Sequence, residues 1–184
     1  MILAFSTSSP LASVALISDR GEIVAEGERL APRKASEACL EILETIEGWR
    51  SATIFAADLG PGSFTGVRVG VTLAKTLAFA AGACCAGVSS FDLIDAQGPV
   101  IVPSRKGEAF LRIPGESPIR IAEAPPEASG YGEWREGQEL YPHARRFALL
   151  VDDLKRVEPE ALLPEYVLPP SITPPKRAYR EGAQ

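Results

Sequence analysis

A glycine-rich stretch is the first place where this sequence could do chemistry. The segment "DLGPGSFTGVRVG" follows an apolar run and precedes a helical pattern, a position in which glycine loops often hold phosphates. A P-loop needs a lysine directly after its last glycine, but Gly66 is followed by Val67. The dinucleotide-binding pattern also fails, because Gly66 comes one position late after Gly60 and Gly62.

The residue types in this stretch favour a tight turn that starts a helix. Ser63 or Thr65 can cap the free amides of the first helical turn. Glycines permit a positive φ and a close approach of two backbones. The predicted turn consists of Gly60, Pro61, Gly62, Ser63 and Thr65. A weak anion site at the helix N-terminus stays open as an alternative.

Few other side chains are suited to catalysis. His143, in "YPHARR", is the only histidine, so a metal site with two histidines is excluded. A peptidase would have to use Ser63 as nucleophile and His143 as base, but the Gly-x-Ser-x-Gly elbow is missing. We expect no catalytic residue, no metal and no cofactor.

Composition sets the broad class of the protein. The 184 residues carry a formal charge of -5, which argues against a protein that grips nucleic acid through its own surface. The start "MILAFSTSSP" has no basic residues before its apolar run, and we expect neither a signal peptide nor a membrane span. Three cysteines without paired spacing, Cys39, Cys84 and Cys85, indicate reduced thiols and a cytoplasmic protein.

The first half of the chain alternates between strand and helix patterns. Three short strands joined by tight turns predict an antiparallel meander. A helix, an almost wholly apolar strand covered on both faces, a second helix over Gly66–Ala81 and another buried strand follow. The segments are, in order, "MILAFSTS", "PLASVALIS", "EIVAEGERL", "KASEACLEILETIEGW", "TIFAADLG", "GVRVGVTLAKTLAFAA" and "CCAGVSS".

The pattern weakens after Gly98. A hairpin turns at Lys106 and Gly107, whereas "RRFALLVDDLKRV" fits a helix or a strand equally well, and most of the prolines lie in this half. We predict an N-terminal subdomain over 1–98, a smaller C-terminal subdomain over 99–168 in which loops replace helices, and an extended or disordered tail over 169–184. The tail should be removable without unfolding the protein, because it has few apolar side chains.

The second helix has two apolar stripes at helical spacing. One consists of small residues that allow close approach: Gly66, Gly70, Ala74 and Ala78. The other has larger anchors, Val69, Leu73 and Leu77, and Leu40 and Leu43 lie off the main core stripe of the first helix. A helix that is apolar on two faces must be covered on both, either by its own chain or by another.

Four segments in this order resemble the bacterial TsaB family, also called YeaZ. They are "ILAFSTSS", "ASEACLEIL", "GPGSFTGVRVG" and "SRKGEAF", and "LPEYVL" is similar to the C-terminal ending of the family. The resemblance implies an α/β protein of the actin/Hsp70/sugar-kinase fold, with two subdomains of mixed sheets and flanking helices. It also implies a role in making threonylcarbamoyladenosine at position 37 of tRNA.

The resemblance implies partners and a non-catalytic role. TsaB pairs with the catalytic subunit TsaD through N-terminal helices, and the ATPase TsaE associates with that pair. The interface residues would be Leu40, Leu43, Gly66, Val69, Gly70, Leu73, Ala74 and Leu77. Ser6 stands where active members of the fold carry an acidic residue for metal and phosphate. The tRNA would be held through the complex.

Two alternatives remain open. A small-molecule kinase or ATPase of the same fold would use the glycine loop, although Ser6 opposes it. The same helix surface could instead form a homodimer when TsaD is absent.

Overall fold

Two β-sheets organise the molecule, and the structure, a computed structural model, describes residues 1–167. The first sheet has five strands in the order β3-β2-β1-β4-β5. These strands are β1 (Ile2–Ser6), β2 (Leu11–Ile17), β3 (Ile23–Leu30), β4 (Ile54–Asp58) and β5 (Cys84–Val88). The first three form the predicted antiparallel meander, while β4 runs parallel to both β1 and β5.

Helices α1 (Ala35–Thr45) and α2 (Phe64–Ala81) pack on one face of the first sheet. Helix α2 begins two residues earlier than predicted. It ends at Ala81 and is capped by Gly82, whose backbone is in the left-handed conformation. By length and composition α2 could cross a membrane, and it is the one such helix among the residues described. A core helix of a globular domain passes the same test, and α2 buries its small residues against the sheet.

The other face of the first sheet is covered by a short helix, α3 (Ser90–Ile94), and by a returning segment. This segment, which was ambiguous in the sequence, forms two 3₁₀ turns over Ala144–Leu149 and Val151–Asp153. Its apolar residues Ala144, Phe147 and Leu150 are three apart, which matches the 3₁₀ period. A spacing of three matches neither the α-helical nor the strand period, which explains why the sequence pattern fitted both equally well.

The second sheet is smaller and has the order β8-β7-β6-β9. Its strands are β6 (Val100–Arg105), β7 (Glu108–Arg112), β8 (Ile119–Ile121) and β9 (Ser129–Gly130). The hairpin of β6 and β7 turns at Lys106 and Gly107, as predicted. Among the described residues after α3 there are 3₁₀ turns but no α-helix. The predicted tail, 169–184, lies outside the described residues.

Candidate functional site

The glycine segment is the connection between β4 and α2. Ser63 caps α2, since its Oγ accepts a hydrogen bond from the Gly66 N–H at 3.2 Å. A Cβ added at Gly62 would lie 2.3 Å from the Ser8 carbonyl oxygen, and one at Gly66 would lie 2.1 Å from that of Thr7. The glycines therefore let the start of α2 touch the backbone that follows β1.

A polar hollow of about 480 Å³ lies between the N-termini of α1 and α2. Its hydroxyl groups include those of Thr7, Ser9 and Ser63. Each of the three is bonded to the chain's own backbone: Thr7 donates to the Gly66 carbonyl, Ser9 contacts Leu11 and Ser63 caps α2. The weak anion site left open by the sequence would lie in this hollow. The three hydroxyls there already have backbone partners.

A fully buried carboxylate, Asp58, stands at the end of β4 beside Ser6 of β1. Ser6 Oγ lies 2.8 Å and Ser8 Oγ 2.5 Å from Asp58 Oδ2. On the other oxygen, Oδ1, Ser90 Oγ lies at 2.5 Å and the Gly60 N–H donates at 2.9 Å. Asp58 therefore joins β1, β4, the glycine turn and α3 in one network.

Burial raises the pKa of Asp58, and the bonds from Ser8, Ser90, Gly60 and Ser6 oppose that rise. The fully buried Tyr131 also has a raised pKa, chiefly through burial and further through Asp58. Asp58 was assigned no role from the sequence alone. A carboxylate at the end of an otherwise apolar strand is the pattern that indicates such a buried acid. At the end of the first strand, the Ser6 hydroxyl therefore donates a hydrogen bond to the buried Asp58 carboxylate.

His143 belongs to a second polar group. Its Nδ1 accepts from the Arg145 backbone N–H at 3.0 Å, so Nε2 carries the proton and donates to Glu28 at 2.6 Å. Burial is the main cause of the lowered pKa of His143, against the opposing effect of Glu28. The hydrogen bond from His143 in turn lowers the pKa of Glu28. A neutral histidine therefore faces a charged glutamate.

The residues of the peptidase alternative are committed to other contacts. Ser63 caps α2, and both ring nitrogens of His143 have partners in Arg145 and Glu28. Within residues 1–167 no hydrogen bond joins Ser63 to His143. In the same part of the chain no group of three His, Cys, Asp or Glu residues is arranged to hold a metal ion.

The small-residue stripe of α2 faces the chain's own sheet. Gly66, Gly70, Ala74 and Ala78 are all buried, and a Cβ at Gly70 would lie 2.6 Å from Thr7 Oγ1. The close approach expected for these residues is therefore made to β1 and the turn after it. A partner interface on this helix is restricted to the other stripe.

The outward stripe remains accessible. Val69, Leu73 and Leu77 are half-buried at the border between the core and the surface, and Leu40 on α1 is 51% exposed. Leu43 was predicted to lie off the core stripe together with Leu40, but it is buried in the core of the first sheet. Of the apolar residues predicted for the interface, Leu40, Val69, Leu73 and Leu77 are therefore accessible, while Leu43 is not.

Val69 and Leu73 line a surface groove of about 340 Å³ near the N-terminal ends of the two helices. We call it the helix groove, and it is lined by Ser36, Thr65, Arg68, Val69, Thr72 and Leu73. An aromatic pair lies beside the groove where α2 begins. The exposed rings of Phe64 and Tyr166 stack there with their centroids 5.6 Å apart. The guanidinium of Arg68 lies 5.2 Å from the Phe64 ring centroid. The groove is apolar with a positive rim at the aromatic end.

Comparison with known proteins gives several matches. A family model described as "TsaD: tRNA N6-adenosine threonylcarbamoyltransferase" matches residues 41–100. The protein named tRNA threonylcarbamoyladenosine biosynthesis protein TsaB from Escherichia coli is 37% identical over 48% of this chain and 40% of its own length. The protein of the same name from Bacillus subtilis is 56% identical over 28% of this chain and 25% of its own length.

Solved structures extend the likeness to the whole fold. YeaZ from Pseudomonas aeruginosa superposes with a TM-score of 0.71 at 22% identity, over 90% of this chain and 98% of that one. An uncharacterized protein with similarity to peptidase YEAZ from Pseudomonas aeruginosa gives a TM-score of 0.76 at 21% identity, over 91% and 99%. These matches confirm the predicted resemblance and fold class, while the sequence matches span less than half of the curated relatives.

Proposed function

The chain resembles the TsaB (YeaZ) family in sequence and in fold, and from this we propose that it takes part in tRNA threonylcarbamoyladenosine biosynthesis as a non-catalytic subunit that pairs with TsaD. The relatives at 37% and 56% identity carry that pathway in their names. The family model described as TsaD matches residues 41–100, which include the glycine turn and helix α2.

The non-catalytic role rests on what stands at the end of the first strand. Ser6 is held by a buried acid, and Asp58 itself is covered completely by the chain. A carboxylate with no exposed surface does not reach a substrate. The only histidine is engaged by Glu28 and Arg145. Residues 1–167 therefore contain no hydrogen-bonded pair of Ser63 and His143 that could act as nucleophile and base.

The observation that carries the pairing with TsaD is the apolar face of α1 and α2. Val69 and Leu73 line the groove, Leu77 follows one helical turn further along α2, and Leu40 is 51% exposed on the neighbouring helix α1. Burial of a leucine or valine side chain contributes roughly 1.5–3 kcal/mol. Leu40 and the exposed parts of the three half-buried residues would supply the apolar centre of an interface.

Recruitment of the other components follows from the pairing. The formal charge of -5 favours a complex in which the partners hold most of the tRNA backbone. TsaE would associate with the assembled pair, and the work would take place in the cytoplasm. The homodimer of the isolated chain would use the same face and compete with TsaD.

The test is co-expression with the cognate TsaD followed by sizing and affinity measurement. Leu40→Asp places a charge in the centre of the face, where an unpaired carboxylate costs several kcal/mol on burial. We expect this variant to keep its fold, because Leu40 is outside the core, and to lose TsaD binding at least 100-fold. Leu149→Asp, at an exposed apolar position (73%) on the opposite side of the sheet, is the matched control and should bind normally.

Leu73→Asp extends the same test to α2, but Leu73 also packs against the core. Loss of binding with a native circular dichroism spectrum supports the face, whereas an unfolded variant assigns Leu73 to the core. Normal binding by Leu40→Asp and Leu73→Asp together would place the interface elsewhere. ATP turnover by the isolated chain at about 1 per second or faster, typical of enzymes, contradicts the non-catalytic role.

A further inference from the structure

The chain itself contains a segment whose length and composition suit the helix groove. We propose that the C-terminal segment 168–184, "LPPSITPPKRAYREGAQ", docks along the helix groove of its own molecule. The proposal combines the place where the described residues end, the length of the segment, the order of its side chains and the charge of α1.

The segment starts beside the groove. Val167, the last described residue, lines the same small hollow as Phe64. Its neighbour Tyr166 stacks on Phe64, the first residue of α2. One residue further along α2 is Thr65, which lines the helix groove. The chain therefore leaves the described part of the molecule at the aromatic end of the groove.

The length of the segment is sufficient. Prolines favour the polyproline II helix, which rises about 3.1 Å per residue. In that form the nine steps from Val167 to Lys176 span about 28 Å. The groove side of α2 from Phe64 to Leu73 is about 14 Å long, at about 1.5 Å per residue. The segment is thus long enough to pass from Phe64 into the groove and to follow it as far as Leu73.

The side chains of the segment suit the groove in their order. A polyproline II helix has three residues per turn, so Pro169, Ile172 and Pro175 share one apolar face. Proline-rich segments in this conformation dock in grooves bordered by aromatic rings. Here Phe64 and Tyr166 stand at the entrance and are both about half exposed. The apolar part of the segment comes first, next to the apolar groove.

The charges follow the same order. The basic residues of the segment, Lys176, Arg177 and Arg180, come after its apolar part. Helix α1 is acidic: it has three glutamates and no basic residue. Glu44 on α1 and Glu47 just after it are exposed and form no ion pair within residues 1–167. The basic end of the segment therefore meets the acidic end of α1, whereas Arg68 stays at the apolar end.

The docking itself does not depend on the proposed function, but one consequence does. If TsaD binds the same face, the segment must leave before TsaD can bind. A tethered ligand acts at an effective concentration near the millimolar range. Even weak docking then lowers the apparent affinity for TsaD by a factor of roughly 3 to 10.

The first experiment locates the segment in the full chain. A photoreactive benzoylphenylalanine replaces Ile172, and the cross-linked peptides are mapped by mass spectrometry. We expect cross-links within a single molecule to peptides from residues 35–50 and 64–75. The combined variant Lys176→Glu, Arg177→Glu and Arg180→Glu should reduce them severalfold. Absence of cross-links, cross-links only to other surfaces, or cross-links only between two molecules would overturn the proposal.

The second experiment separates the docking from the proposed function. The charge-reversed variant should bind the cognate TsaD about 3- to 10-fold more tightly than the unmodified chain. Intramolecular cross-links with no change in TsaD affinity support the docking and contradict the shared face. If Leu40→Asp abolishes TsaD binding but no cross-link forms, the proposed function stands and the docking is refuted.

Discussion

Replacing Asp58 tests how the buried network is stabilised. The raised pKa means that burial disfavours the charged carboxylate more than its hydrogen bonds favour it. An uncharged isostere that keeps the bonds should therefore cost little at neutral pH. We expect Asp58→Asn to change the free energy of unfolding by less than about 1 kcal/mol.

The geometry shows how an asparagine is accommodated. Its carbonyl oxygen can accept from Ser90 and Gly60, and its amide can donate to Ser6 and Ser8. The Ser6 hydroxyl then donates to a backbone carbonyl already 3.0 Å away, that of residue 142, and Ser8 donates to Ser90, also at 3.0 Å. Every donor keeps an acceptor.

Alanine at position 58 removes the acceptor altogether. The three serine hydroxyls can turn to other partners, but the Gly60 N–H is fixed and loses its acceptor. An orphaned buried donor costs about 1–3 kcal/mol, and the cavity adds to this. We expect Asp58→Ala to lose about 2–4 kcal/mol, measured by urea unfolding at pH 7.

The pH dependence of the free energy of unfolding tests whether the charged form of Asp58 is destabilising. Because the folded-state pKa of Asp58 is raised above 3.8, its contribution to stability is full below pH 3.8 and is lost as pH rises through the folded pKa. Asp58→Asn lacks this loss, so its stability relative to the unmodified chain should improve as pH rises. An Asn variant as unstable as the Ala variant at pH 7 refutes the reasoning, since the charge itself would then be stabilising.

Two further predictions concern other contacts. The folded-state pKa of His143 lies below 6.5, so the unfolded state binds more protons and stability falls as pH drops below about 6.5. His143→Gln should flatten the decrease in urea midpoint between pH 7.5 and 5.5, and an unchanged slope contradicts this. Gly66→Ala should lower stability by about 2 kcal/mol or more, because its Cβ meets the Thr7 carbonyl. Gly107→Ala, in open space at positive φ, should cost only about 1 kcal/mol when both variants are compared by urea unfolding at pH 7, and equal losses would argue against the close contact.

Local patterns were sufficient to predict most of the first sheet. Alternation and turn residues located β1 to β3, and helical spacing with Ser63 and Gly82 at the ends located α2. These signals depend on neighbours in sequence, which one sequence displays directly.

The network around Asp58 was not predictable in this way. Its serines lie 52, 50 and 32 positions from Asp58 in the chain, and each alone reads as an ordinary turn or cap residue. The orientation of the two stripes on α2 had the same limitation. Periodicity shows that a helix has two apolar faces, but only packing decides that Gly70 faces the sheet while Leu73 lies at the surface.

The return of residues 142–154 to the first sheet has a consequence for synthesis on the ribosome. Phe147 is fully buried against strands that are made more than 90 residues earlier, and Ser13 Oγ accepts from the Ala144 N–H across 131 positions. A nascent chain that has exposed only its first hundred residues therefore has a sheet with one apolar face that α3 covers only in part. That face stays open to chaperones and to aggregation until Phe147 has left the exit tunnel, and the N-terminal half matures only when the C-terminal half arrives.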